Sequence, residues 1–295
     1  MNVKRPYAEA FLIGTVATIM VTCTTELGNM TTVNFSTLMN HLVNLGMNYL
    51  ILLFGLKNSC INPKGDKVPW YLYSAGLLGI VNLTLNFVAV KGAGATVLMV
   101  GVIFGQSLLG LIYDLTGFLG LEKRKLTRNN VISILISLAG ILLMLSGGTF
   151  RFRYMFYAMC AGFAAMTQMV MCTRMSSHKG VFYSTRMNVL VGSIGMVILS
   201  IFVFPEDITT GFSLMKSTPI IMVLGGGLCA TLCGVGTTII LPRIPAVIAS
   251  LILATGQISS AVLVDYLLYD RFSLPTLLGV IVMLLGMLVG GREEK

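Results

Sequence analysis

The chain has 295 residues, of which 56% are hydrophobic and 11% charged, with a formal net charge of +9. A soluble domain carries roughly 25% charged residues, so a water-soluble globule is excluded; at about 20 apolar residues per crossing of a ~30 Å hydrocarbon core, ten crossings use nearly all the chain. The positive charge does not indicate a nucleic-acid partner, because the basic residues fall in short gaps between apolar runs rather than on one face or in a tail.

Lys4 and Arg5 precede the first apolar run. No small-x-small cleavage site follows, so the run reads as a first helix and not as a leader. Apolar windows then predict spans near 7–27, 32–56, 70–90, 94–114, 128–147, 152–173, 181–204, 217–241, 245–269 and 273–291. With the N-terminus inside, only Lys91, Arg151, Arg153, Lys216 and Arg271 fall on the outer side, leaving fifteen of the twenty basic residues cytoplasmic. That bias places both termini in the cytoplasm. The six cysteines lie mostly within apolar runs and read as packing residues.

The chain also repeats itself. Ser36-Thr37-Leu38-Met39-Asn40 returns 148 residues later as Ser184-Thr185-Arg186-Met187-Asn188, and Gly105-Gln106 with Asp114 returns 151 residues later as Gly256-Gln257 with Asp265. Met144-Leu145-Ser146-Gly147-Gly148 is echoed by Met287-Leu288-Val289-Gly290-Gly291, and Gly76 in the third span by Gly227 in the eighth. The expected architecture is an all-α integral membrane protein of about ten transmembrane helices, with one five-helix repeat over 1–150 and a second over 151–295. Five is odd, so the second repeat enters the bilayer from the opposite face, the geometry of many secondary transporters.

Gly76-Leu77-Leu78-Gly79, Gly94-Ala95, Gly105-Gln106 and Leu111-Ile112-Tyr113-Asp114 in the first half, with Gly225-Gly226-Gly227, Leu241-Pro242-Arg243-Ile244-Pro245-Ala246, Gly256-Gln257 and Leu263-Val264-Asp265 in the second, form a recognisable set. On these residues the chain resembles the YdcZ-like branch of the drug/metabolite transporter superfamily, in its fused ten-helix form. The resemblance covers both halves and is looser over the first two spans of each. Where the family more often shows Pro-Arg, the first half has Lys91-Gly92. The resemblance implies a carrier of the bacterial cytoplasmic membrane.

Several polar residues stand inside these spans. Glu26 lies late in the first, among Thr22, Thr24, Thr25 and Asn29. An ionisable group at membrane depth is costly and usually lines a cavity or pairs; otherwise the helix ends near residue 25 and Glu26 sits in a wet loop. Asn40, His41, Asn44 and Asn48 make a polar stripe on the second span, fit either to line an aqueous path or to bond the first helix; Asn188 is the repeat-mate of Asn40. Gln106 and Gln257 fall mid-span, where an amide must find protein partners. Asp114 and Asp265 follow them by eight residues, as gating or coupling groups or as helix caps and partners of Arg128 or Arg271. Arg174 and Arg186 read as cytoplasmic anchors.

The expected activity is therefore secondary transport of a small metabolite or drug-like solute by alternating access, with substrate contacts at Glu26, Asn40, His41, Gln106, Asn188 and Gln257. The acids favour a cationic or zwitterionic solute and a coupling proton or cation. No nucleotide loop, nucleophile elbow or metal motif occurs, so no enzyme activity, cofactor or metal is expected. The expected partners are the lipid bilayer and the solute, with a homodimer left open. The competing reading is a non-transporting membrane subunit that binds another membrane protein through outward polar faces.

Overall fold

A computed structural model describes residues 4–53, 67–120, 123, 127–145, 152–269 and 274–290. Among these, every regular element is helical: α1 (Lys4–Met30), α2 (Val33–Leu53), α3 (Ala75–Thr116), α4 (Arg128–Leu145), α5 (Phe152–Lys179), α6 (Val181–Phe202), α7 (Pro205–Met215), α8 (Ile220–Ile240), α9 (Ala246–Tyr269) and α10 (Leu274–Gly290). Short 3₁₀ turns precede α3 and follow α3 and α8. Among the described residues, four helices, over Arg5–Met30, Phe152–Lys179, Val181–Phe202 and Ile220–Arg243, are long and apolar enough to cross a membrane, and shorter apolar helices lie over Gly101–Thr116, Val131–Leu143 and Ile248–Val264. Four asparagines and His41 lower the hydropathy of α2.

Two elements differ from the sequence expectation. The third and fourth spans form one helical run of 42 residues, α3. Its glycines cost only about 1 kcal/mol each in a helix and no proline interrupts it, so Gly92 and Gly94 do not oblige a break. Its 42 residues suffice for two crossings of about 20 residues each. The stretch 205–216, expected as a loop, contains α7. Pro205 occupies its first turn with Glu206 and Asp207 beside it, the residues that favour a helix start.

Two breaks rest on glycine. Gly117 (φ 67°) ends α3, its N–H bonding Tyr113 O at 2.9 Å, and Gly180 (φ 89°) separates α5 from α6, both in a region that L side chains avoid.

The chain forms two compact units, each drawing on both halves of the sequence. The first comprises Met1–Thr15, Val81–Val170 and Ile240–Lys295. Its core gathers Ala10, Tyr113, Met166, Val170, Ile240, Leu241, Ile248 and Ile252, and α10 packs along α4 with Gly286 against Ser133 and Ser137. A β-carbon on Gly14 of α1 would collide with the carbonyl of Leu253 and stand 3.0 Å from Gln257 N. One on Gly162 of α5 would collide with the carbonyl of Val102 and stand 2.9 Å from Gln106 N. Gly256 and Gly105 face Phe11 O and Met159 O in the same way. Gly14 and Gly162, like Phe11 and Met159, are 148 apart; Val102 and Leu253, like the glutamines, are 151 apart. One crossing is thus repeated between α1 and α9 and between α3 and α5.

The second unit comprises Val16–Ile80 and Met171–Ile239. A β-carbon on Gly76 would collide with Asn188 O and stand 2.5 Å from Gly192 N and 3.0 Å from Val191 Cβ, while one on Gly227 would stand 2.9 Å from Asn44 N and 2.5 Å from Val43 Cβ. The same offsets, 151 and 148, relate these atoms. In both units small residues bring backbones close, the arrangement that stabilises helix pairs where lipid supplies no hydrophobic drive. Over this second unit α7 is tied down: Asn34 donates to the Asp207 carboxylate, Thr32 Oγ1 donates to Asp207 O at 2.9 Å, and Phe35 lies under Gly211 with its ring 5.0 Å from that of Phe212.

Candidate functional site: a polar track along the second helix

The stripe read from the sequence on α2 divides between two neighbours. Asn40 Nδ2 donates to Thr24 Oγ1 of α1 at 2.8 Å, above Gly226 of α8. One turn on, Asn44 is buried; its Oδ1 accepts from Thr231 Oγ1 of α8 at 2.8 Å and from Asn48 Nδ2 at 2.9 Å. The asparagines thus knit α2 to α1 and α8, each bond satisfying an amide that lipid would leave unpaired.

His41 points elsewhere, as its place one residue after Asn40 requires. Its carbonyl accepts from Ser193 Oγ of α6 at 3.2 Å, and its ring lies against Gly192, where a β-carbon would come within 3.2 Å of Cε1. Its Nδ1 is buried without a partner among the described residues. Asn188, half-buried on α6, places its carbonyl under Gly76.

Glu26 belongs to α1, which continues to Met30, and is half-buried. It stands nine residues from the helix centre, about 13 Å, and so toward one end of a crossing. Glu26, Asn40, His41 and Asn188 all belong to the second unit.

A feature the sequence reading did not assemble closes the other end of α2. Arg186 of α6, half-buried, lies over the ring of Tyr49 at 5.8 Å and that of Tyr183 at 5.7 Å, while Tyr183 Oη meets Tyr73 Oη at 3.2 Å. Tyr183 was a readable neighbour at three-residue spacing; Tyr49 and Tyr73 come from distant parts of the chain.

The remaining sequence candidates belong to the first unit. Gln106 and Gln257 are half-buried, and their backbone nitrogens are the atoms that Gly162 and Gly14 approach. Asp114 is 2% exposed, and its Oδ1 accepts from Ala246 N at 2.9 Å. Ala246 opens α9, so the carboxylate caps that helix, satisfying an orphan N–H and meeting the positive end of its dipole. The side chain of Asp265 lies outside the described residues. At the surface, Glu9 bridges Arg5 and Arg243 at 3.0 and 3.3 Å, exposed pairs of small energetic weight. Among the described residues no group of three His, Cys, Asp or Glu side chains is placed to hold a metal ion.

The sequence matches, over residues 6–143 and again over 153–289, the family described as "Putative inner membrane exporter, YdcZ". The chain belongs to this family. The double match coincides with the two repeats, and the YdcZ-family chain is an all-α, multi-pass protein of the cytoplasmic membrane, of the drug/metabolite transporter type. No curated protein matches it. A solved crystal structure is similar to it with a TM-score of 0.69 at 15% identity, covering 96% of each chain, a likeness of fold alone.

Proposed function

We propose that this YdcZ-family chain is a secondary transporter that exports a small solute by alternating access, with residues 1–150 and 151–295 as its inverted repeats and both termini in the cytoplasm. The observation that carries the reading is the duplicated glycine crossing, Gly14 of α1 against α9 and Gly162 of α5 against α3, at the offsets of the sequence repeat. A crossing built from bare backbone has few interlocked side chains to unpack when helices slide, and its duplication fits two exchangeable conformations. Gln106 and Gln257 sit at these crossings, and Asp114, two turns past Gln106, holds the start of α9, which suits positioning roles.

The solute path runs along the polar track of the second unit, contacted by Asn40, His41 and Asn188, with Glu26 as the group that exchanges a coupling proton or cation. Polar groups at this depth are costly unless they pair within the protein or face water or a ligand, and the buried Nδ1 of His41, without a partner among the described residues, is the group of the track left open to a ligand. The test needs no known solute. In a cysteine-free background, Asn40→Cys is exposed to a membrane-impermeant maleimide in sealed right-side-out and inside-out vesicles. Labelling from both sides supports alternating access, and labelling from one side or neither contradicts it and favours a static subunit.

A further inference from the structure

We propose that Arg186, held between Tyr49 and Tyr183, binds an oxyanion of the transported solute, a carboxylate or a phosphate. The inference rests on the transporter reading and supplies its substrate class.

Arg186 is in the second turn of α6 and half-buried, and among the described residues it makes no ion pair. Five residues past the start of α6 a guanidinium can reach water by snorkelling, and one without a carboxylate there keeps its charge open to a ligand. The described acids of this unit cannot supply the missing charge. Asp207, with Glu206 next to it at the start of α7, bonds Asn34, and Asn34 is fifteen residues from Tyr49 along α2, about 22 Å. Glu26 lies just beyond Thr24, which meets Asn40, so it too stands toward that far end. The residues nearest in sequence to Arg186 add positive charge and no carboxylate: Lys179 closes α5 two residues before α6 begins.

Contact through tyrosine faces fixes the guanidinium and draws on none of its five N–H donors, leaving the planar fork that matches a carboxylate or phosphate in two parallel bonds. Tyrosines of an ordinary interfacial belt turn toward the headgroups. Here two rings converge on one cation, and Tyr73 braces the second of them through its hydroxyl.

The experiment uses the purified full chain in phosphatidylcholine nanodiscs. Binding of benzoate and of inorganic phosphate is measured by calorimetry, with benzylamine as the cationic control. The expected result is that at least one anion binds and benzylamine does not, that Arg186→Gln weakens the anion at least tenfold, and that Arg186→Lys and Tyr49→Leu give intermediate losses while Glu206→Gln, at an exposed residue of α7, changes nothing. Tyr49 is 41% exposed, so its substitution leaves the fold intact and guards against misfolding as the cause. The proposal is overturned if neither anion binds the wild type, if Arg186→Gln binds equally well, or if native mass spectrometry shows only a phosphatidylglycerol headgroup held through Arg186. Because the assay reads binding and not flux, anion binding without transport would sink the transporter reading alone, and transport with intact Arg186→Gln binding would sink this site alone.

Discussion

Replacing Gly162 by alanine places one methyl group between α5 and α3. Its β-carbon would collide with the Val102 carbonyl and stand 2.9 Å from Gln106 N, where ordinary contact begins at 3.4 Å. Both obstacles are backbone, so no rotamer change relieves them; the helices must separate by at least 0.5 Å at the nitrogen and by more at the carbonyl. Overpacking of this kind costs about 1–3 kcal/mol, and the upper half of the range is expected here because the neighbour cannot yield locally. Gly14→Ala meets equivalent atoms on α9 and should cost the same. Gly46 on α2 is the control: nothing lies within 4 Å of its β-carbon position, so Gly46→Ala should be neutral or stabilising by up to about 1 kcal/mol. Equilibrium unfolding in mixed detergent micelles measures all three. A Gly162→Ala chain as stable as wild type, or a Gly46→Ala chain equally weakened, would refute the packing argument.

Asp114→Ala should lose about 0.5–2 kcal/mol by uncapping α9, with Asp114→Asn closer to wild type, as measured by thermal unfolding. A double-mutant cycle of Asn44→Ala with Thr231→Val should give a coupling of about 0.6 kcal/mol and no more than about 1.7, the range for interhelical hydrogen bonds in bilayers; a coupling of zero would mean that the 2.8 Å bond contributes nothing. Asp207→Ala removes the carboxylate that Asn34 holds, so proteolysis of intact vesicles should cut near α7 faster than in wild type; an unchanged rate would show that Thr32 and Phe35 suffice.

What was legible in the sequence was whatever depends on local pattern. Apolar run lengths gave most helices, and the offsets of 148 and 151 recur, atom for atom, in the crossings of Gly14, Gly162, Gly76 and Gly227. The stripe of Asn40, Asn44 and Asn48 was visible from its helical spacing, but spacing names a face and not the helix opposite it. Only the fold shows Thr24 and Thr231 there, with His41 turned toward Gly192. Arg186 illustrates the limit: a basic residue at a helix start satisfies the charge bias whether it anchors the chain in headgroups or lies between tyrosines from elsewhere in the chain. The start signal at Pro205-Glu206-Asp207 was readable, yet the short polar stretch resembled an ordinary connection.

Transport by this chain is tested most directly by efflux that presupposes no solute. Proteoliposomes loaded with a bacterial metabolite extract are diluted into buffer under an imposed proton gradient, and the retained contents are followed by mass spectrometry against protein-free liposomes. The account predicts that at least one small metabolite, one bearing a carboxylate or phosphate if Arg186 recognises it, leaves faster from the vesicles that contain the protein. Retention profiles indistinguishable from those of protein-free liposomes, from a folded and correctly inserted preparation, would contradict it.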